Sequence, residues 1–170
     1  MFVDVMVWNG FSITGYISSI KLGWLTTIGL LIDNDILFAA LIIIIGIYLI
    51  REMDKRVRFG VALAIAYITA TILKNVLAVP RPCAQDITVI CPASFSLPSM
   101  HATMVFTLAF SLLDRKAFIP VLAFALFVCF TRINLGVHTF EDVAAALPVA
   151  FISMLVADEL YKRYSRWKKR

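Results

Sequence analysis

The sequence predicts an all-α, polytopic membrane helix bundle, and three observations carry that prediction. Of 170 residues, 61% are hydrophobic and the mean hydropathy is +0.90, whereas a soluble domain is roughly 45–50% apolar. The apolar residues gather in runs of helical length, which points to a bilayer. The basic residues gather beside those runs. A net charge of +5 could suggest nucleic acid in a soluble protein, but basic residues placed this way set membrane orientation instead. The expected partner is therefore the bilayer, with no nucleic acid, and a chain this short is expected to be one domain, 1–170.

The elements follow in order. Residues 1–32 mix Phe11, Ile13, Tyr16, Ile17, Ile20, Trp24 and Leu25 with Asn9, Ser12, Thr14, Ser18, Ser19 and Lys21. That pattern suits an amphipathic helix lying in the interface, where Trp8 and Trp24 would sit well. A sixth span near 13–32 is the alternative. Asp4 and the lack of a basic n-region argue against a cleavable signal peptide. A five-helix core is expected over 36–160, with spans near 36–50, 59–78, 99–113, 118–137 and 141–160. Some are shorter than the roughly 20 residues that cross hydrocarbon, so tilt or local thinning must make up the difference.

Charge orients these spans. Arg51, Lys55, Arg56 and Arg58 lie between the first two, Arg115 and Lys116 between the third and fourth, and residues 161–170 form a basic tail. All three segments are expected to be cytoplasmic, and five alternating spans place them on one side. Residues 79–98 and 138–141 then fall on the outer or periplasmic face of a multi-pass protein in the cell (inner) membrane.

The three cysteines divide by context. Cys129 lies in an apolar run and reads as a packing residue. Cys83 and Cys91 flank one polar loop and could pair in an oxidising compartment, a question that spacing leaves open. No further ligand pair is spaced to complete a zinc site.

Three polar clusters carry the chemistry. Lys74 ends an apolar helix, and Arg81 follows between Pro80 and Pro82, which stop the helix there. Alone, these two read as snorkelling cations, although a proline-fixed guanidinium can fork onto phosphate. Pro98-Ser99-Met100-His101 marks a helix start with Ser99 as candidate cap, and a helix N-terminus suits an anion. Its plainer reading is an ordinary capped helix with an interfacial histidine. Arg132 follows the apolar run 121–130 after Thr131, where an unpaired arginine is costly. His138 and Asp142 are spaced i, i+4, so one helical face could hold both. Asp142 could then hold one ring nitrogen of His138 and leave the other as a nucleophile. The plainer reading there is a helix-capping pair.

Taken together the clusters read Lys74-x6-Arg81-Pro82, Pro98-Ser99-x-His101 and Arg132-x5-His138-x3-Asp142. This resembles the type 2 phosphatidic acid phosphatase superfamily, by motif over about residues 70–145 and by span layout over the chain. The resemblance implies that His138 takes the phosphoryl group and that Asp142 orients it. It implies that His101 protonates the leaving oxygen and later activates water. Lys74, Arg81 and Arg132 would hold the phosphate oxygens with help from Ser99, Thr131 and nearby backbone N–H groups. Fixed cations suit a phosphoryl group in flight because its charge is spread and they need not reorganise. Two positions depart from the usual pattern. Met100 stands where glycine is usual, so its side chain is expected to turn toward lipid or to shape the path of the acyl chains. Thr131 replaces serine and keeps the hydroxyl.

The function implied is a metal-independent membrane lipid phosphatase, hydrolysing a lipid phosphate monoester such as phosphatidylglycerophosphate or phosphatidate through a phosphohistidine. Alternatives that share the site are a polyprenyl (undecaprenyl) pyrophosphate phosphatase and a lipid phospho-headgroup transferase, the latter because non-glycine residues at the Met100 position occur in transferase branches. No cofactor is implied, and no carboxylate cluster resembles a magnesium cage. Asp86 and Glu141 read as solvated charges.

Overall fold

The computed structural model describes residues 12–20, 22–85 and 91–169, and all regular structure among them is helical. In order these are α1 (Ile13–Ser19), α2 (Gly23–Leu31), α3 (Asp35–Leu49), α4 (Met53–Leu77), a short 3-10 turn (Pro82–Gln85), α5 (Met100–Phe110), α6 (Phe118–Asn134), α7 (Phe140–Ala144) and α8 (Ala146–Lys168). Trp8, Asn9 and the rest of 1–11 lie outside the described residues, as does Asp86.

Local chemistry sets the breaks. Ser12 caps α1 by accepting from the Gly15 N–H, and Asn34 caps α3 by accepting from Ile36 and Leu37, which satisfies donors a helix start leaves open. Helix α4 stops at Ala78, in the left-handed region at φ 47°, two residues before Pro80. Helix α6 stops before Gly136, whose φ of 72° suits a residue without a Cβ. Helices α7 and α8 meet at a turn at Ala145. Pro148 explains it, because proline has no N–H to give the Ala144 carbonyl four residues back.

The described part of 1–32 is two short helices rather than one continuous helix. Two helical stretches, α4 and Phe140–Lys168 (α7 running on into α8), are long and apolar enough to cross a membrane. Helices α2 and α3, bent by 85°, would make a third if counted as one span. Helices α5 and α6 are apolar but shorter. The basic segment expected as a tail continues α8 as helix through Lys168.

Helix α5 sits at the centre, with every residue from Met100 to Ala109 buried and α3, α4, α6 and α8 packed around it. The exterior is apolar: Ile36, Ile44, Ile68, Ile72, Val76, Ile119, Leu126 and Ile152 all face outward. Helices α4 and α8 pack on one another, and the residues they bury are mostly small: Ala62, Ala66 and Ala70 in one, and Ala146, Ala150, Ser153 and Ala157 in the other. This inversion, with large apolar residues outside and small ones between helices, is how helices pack in lipid. Helix α3 reaches α4 through Gly46, where an added Cβ would lie 2.2 Å from a ring carbon of Phe59.

The two ends of the bundle differ. At the N-terminus of α4, Lys55 pairs with Asp114, Glu52 with Arg115, and Arg58 with Asp158 at 3.4 Å. These pairs bring the start of α4, the α5–α6 turn and the late part of α8 together. The C-terminus of α4, the N-terminus of α5 and the end of α6 gather at the other end, where the polar motifs lie.

Candidate active site

The site is built from chain breaks. Lys74 lies in the last turn of α4, Arg81 in the loop that follows, His101 in the first turn of α5, Arg132 in the last turn of α6, and His138 in the loop before α7. Each break frees backbone groups next to a polar side chain, and each residue named is at least partly buried.

His138 has a fixed tautomer. Its Nε2 lies 3.1 Å from Arg81 Nη1, and a guanidinium can only donate, so Nε2 must present a lone pair. The ring proton then sits on Nδ1, which faces Asp142 Oδ2 at 3.2 Å. Asp142 Oδ2 also accepts from the Ser96 hydroxyl and, at 2.7 Å, from the Thr139 N–H. Thr139 accepts in turn from the Asp142 N–H at 3.3 Å, so the carboxylate is also one half of a capping box. Asp142 therefore acts twice, capping α7 with Thr139 and orienting the His138 ring; the expected capping pair and shared helical face of His138 and Asp142 are corrected, because His138 lies in the loop before the helix. Burial pushes His138 down to about 4, against the opposing pull of the Asp142 hydrogen bond, so the ring is neutral near pH 7.

The cations converge. Arg81 donates to the Ser94 carbonyl (2.7 Å), the Ser94 hydroxyl (2.9 Å) and the Val137 carbonyl (3.1 Å). Lys74 donates to the carbonyls of Phe95 (2.7 Å) and Ser96 (3.2 Å). Arg132 pairs with Asp33 and donates to the Gly29 carbonyl at 3.3 Å. Lys74, Arg81 and Arg132 are close enough to repel one another, and burial together with Arg132 holds Arg81 below the usual arginine range. Buried donors without a partner are rare, yet Arg132 Nε and the Ser99 hydroxyl are both buried and unpaired. Mutually repelling cations beside unpaired donors make a place for an anion.

The remaining sequence-predicted residues are placed as follows. Ser99 occupies the N-cap position of α5, but its hydroxyl caps nothing; its N–H donates to the Asp142 carbonyl at 2.9 Å. Thr131 turns its hydroxyl into its own helix, donating to the Val128 carbonyl at 2.7 Å. Met100 points into the buried core at 5% exposure; the expectation that it turns toward lipid is corrected, because the first turn of α5 is enclosed by its neighbours. His101 is 3% exposed, with Nε2 2.6 Å from the Ile32 carbonyl and Nδ1 3.1 Å from Asp35 Oδ1. Cys83 and Cys91 form a disulfide with a Cα–Cα distance of 5.6 Å, which ties the loop after Arg81.

Sequence reasoning missed Ser96, Thr139, Asp33 and Asp35. Thr139-x-x-Asp142 is a capping-box pattern, so Thr139 was legible. Asp33 and Asp35 are acids within otherwise apolar sequence, which is itself a signal. Ser96 carried none beyond its place before Pro98.

A family model described as the PAP2 superfamily matches residues 55–166. The crystal structure of Aquifex aeolicus LpxE superposes with a TM-score of 0.68 at 21% identity, covering 86% of this chain and 92% of that one. A transmembrane PAP2-type phosphatidylglycerolphosphate phosphatase from Bacillus subtilis superposes with a TM-score of 0.64 at 17% identity, covering 88% and 83%. No curated protein matches the sequence. At these identities the likeness is one of fold, and the family match, which takes in Lys74, Arg81, His101, Arg132, His138 and Asp142, carries the assignment: this chain belongs to the PAP2 superfamily and is a membrane phosphatase of that family.

Proposed function

We propose that this protein is a multi-pass lipid phosphatase that hydrolyses a lipid phosphate monoester through a phosphohistidine at the outer end of a five-span bundle. The observation that carries the reading is the held ring of His138: Nδ1 tied to Asp142 and the Nε2 lone pair aimed at Arg81, beside the unpaired donors of Ser99 and Arg132. An entering phosphate takes Arg81 Nη1 from the imidazole and so frees Nε2 to attack phosphorus. The bond to the lipid oxygen breaks, and His101 gives that oxygen a proton. His101 then takes a proton from water, the water oxygen attacks phosphorus, and the bond to Nε2 breaks to release phosphate. Lys74, Arg81 and Arg132 hold the nonbridging oxygens throughout. The basic segments at the far end of the bundle support a cytoplasmic C-terminus, and the Cys83–Cys91 disulfide supports an outward-facing site.

Phosphate release by the detergent-purified full chain tests this. The lipids offered are phosphatidylglycerophosphate, phosphatidate and undecaprenyl pyrophosphate, each with and without chelator. The expected result is release from a monophosphate lipid that survives chelation, falls at least roughly a thousandfold in His138→Ala, and passes through an acid-labile, base-stable phosphoprotein. Preference for the pyrophosphate would move the reading to polyprenyl carrier recycling. Release that excess acceptor alcohol suppresses would move it to headgroup transfer. Activity that His138→Ala leaves intact would refute the mechanism.

A further inference from the structure

The bend between α2 and α3 places two carboxylates against the site. Asp33 pairs with Arg132. Asp35, the first residue of α3, puts Oδ1 3.1 Å from His101 Nδ1. The other ring nitrogen, Nε2, donates to the Ile32 carbonyl at 2.6 Å, and Phe38 packs on the ring with centroids 4.6 Å apart. Residues 32–38 therefore surround His101 on both edges and one face, although they precede the stretch 55–166 that the family model matches.

The two histidines are held alike. His138 has Nδ1 on Asp142 and Nε2 toward the cations, while His101 has Nδ1 on Asp35 and Nε2 on a carbonyl. A carbonyl oxygen only accepts, so Nε2 of His101 carries a proton, and Nδ1 lies within hydrogen-bond reach of the Asp35 carboxylate. We propose that Asp35 is a positioning residue for His101, holding Nδ1–H so that Nε2–H is the proton given to the leaving oxygen. This rests on the proposed function above. In the step, the Nε2–H proton passes to the lipid oxygen as its bond to phosphorus breaks. The electron pair of that N–H bond stays on Nε2, and the ring remains a neutral imidazole that keeps its proton on Nδ1 beside Asp35. The Ile32 carbonyl holds the same proton until the leaving oxygen replaces it. The other charged groups around this pair are Lys74 from α4, Arg132 from α6, and Arg81, His138 and Asp33 from the loops. Of the acids named here, only Asp35 contacts the His101 ring.

A proton donor matters most when the leaving oxygen is basic. The test compares kcat/KM, which ends at the first irreversible step, for a lipid phosphate and for p-nitrophenyl phosphate, whose leaving group needs little help. The proteins are the full wild-type chain, Asp35→Asn, Asp35→Glu and His138→Ala. Asparagine keeps the size at this helix start and removes the carboxylate, whereas glutamate keeps the carboxylate. The expected result is a loss of at least tenfold on the lipid for Asp35→Asn, a loss under threefold on p-nitrophenyl phosphate, and partial rescue by Asp35→Glu. Equal losses on both substrates would make Asp35 a packing residue and overturn the proposal, as would no loss on either. Failure of the underlying mechanism would show separately, as a wild-type rate that His138→Ala does not abolish.

Discussion

Ser96→Ala removes one hydroxyl from the middle of the His138–Asp142 pair, and its effect can be worked from the geometry. Asp142 Oδ2 has three donors: the Ser96 hydroxyl, His138 Nδ1 at 3.2 Å and the Thr139 N–H at 2.7 Å. Ser96 is fully buried, and His138 and Asp142 are each 2% exposed, so water does not readily replace the lost donor. A hydrogen bond to a charged group contributes about 1.5–3 kcal/mol, and a tenfold change in rate corresponds to about 1.4 kcal/mol. The variant keeps the other two donors, so the ring stays near its place while the carboxylate loosens. Its kcat should fall roughly 10- to 100-fold. KM should change little, because Lys74 contacts the Ser96 carbonyl, which the substitution leaves in place. Phosphate release in detergent reads both parameters. The same substitution made on Asp142→Asn should cost far less than it does alone, since both changes act through one carboxylate. A Ser96→Ala enzyme within threefold of wild type, or losses that add in the double variant, would refute the coupling.

Two further outcomes follow from named contacts. The proposed attack requires neutral His138, and burial pushes this ring down to about 4, so kcat/KM should hold as pH falls through the ordinary histidine range and drop only near pH 4. Asp142→Asn should move that limb lower still, because the carboxylate hydrogen bond is what raises the ring against burial; an acid limb near an unperturbed histidine's pKa would contradict the buried geometry. Gly46→Ala sets a methyl 2.2 Å from Phe59 and should destabilise the α3–α4 contact by about 1–3 kcal/mol, whereas Gly60→Ala meets nothing within 4 Å and should stabilise α4 slightly. Thermal unfolding in detergent should place Tm in the order Gly46→Ala, wild type, Gly60→Ala; an unchanged Tm for Gly46→Ala would count against the close approach.

The helices after residue 35 were legible because their signals are local. Apolar runs and the prolines at 80, 82 and 98 place α3, α5 and α6 close to expectation, whereas α4 starts at Met53 rather than near residue 59. The N-terminal stretch was not legible in the same way. Its apolar and polar residues fit one interfacial helix or one span, and what divides it is tertiary: Asn134 donates to the carbonyls of Ile17 and Ile20 at 2.9 and 2.7 Å, and Thr14 accepts from the Phe140 N–H at 3.1 Å. Those contacts bind α1 to the end of α6 and the start of α7 across more than a hundred residues, and nothing in the local pattern announces them.

The candidate site divides along the same line. Lys74, Arg81, His101, Arg132, His138 and Asp142 stood out because charge is costly in apolar sequence and because their spacing repeats a family pattern. Ser96, Asp33 and Asp35 act through pairings formed only when distant elements meet. Ser96 lies 46 residues from Asp142, Asp33 lies 99 from Arg132, and Ile32, in the same bend as Asp35, lies 69 from His101. The cations proposed to hold phosphate are thus written into short motifs, while two of the acids that balance them, Asp33 and Asp35, come from a bend outside those motifs. Two buried cations, Lys74 and Arg132, and the partly buried Arg81 repel one another and need counter-charge before any substrate arrives. Asp142, Asp33 and Asp35 supply it from two separate parts of the chain, so the bend between α2 and α3 completes the charge balance that the motifs leave open.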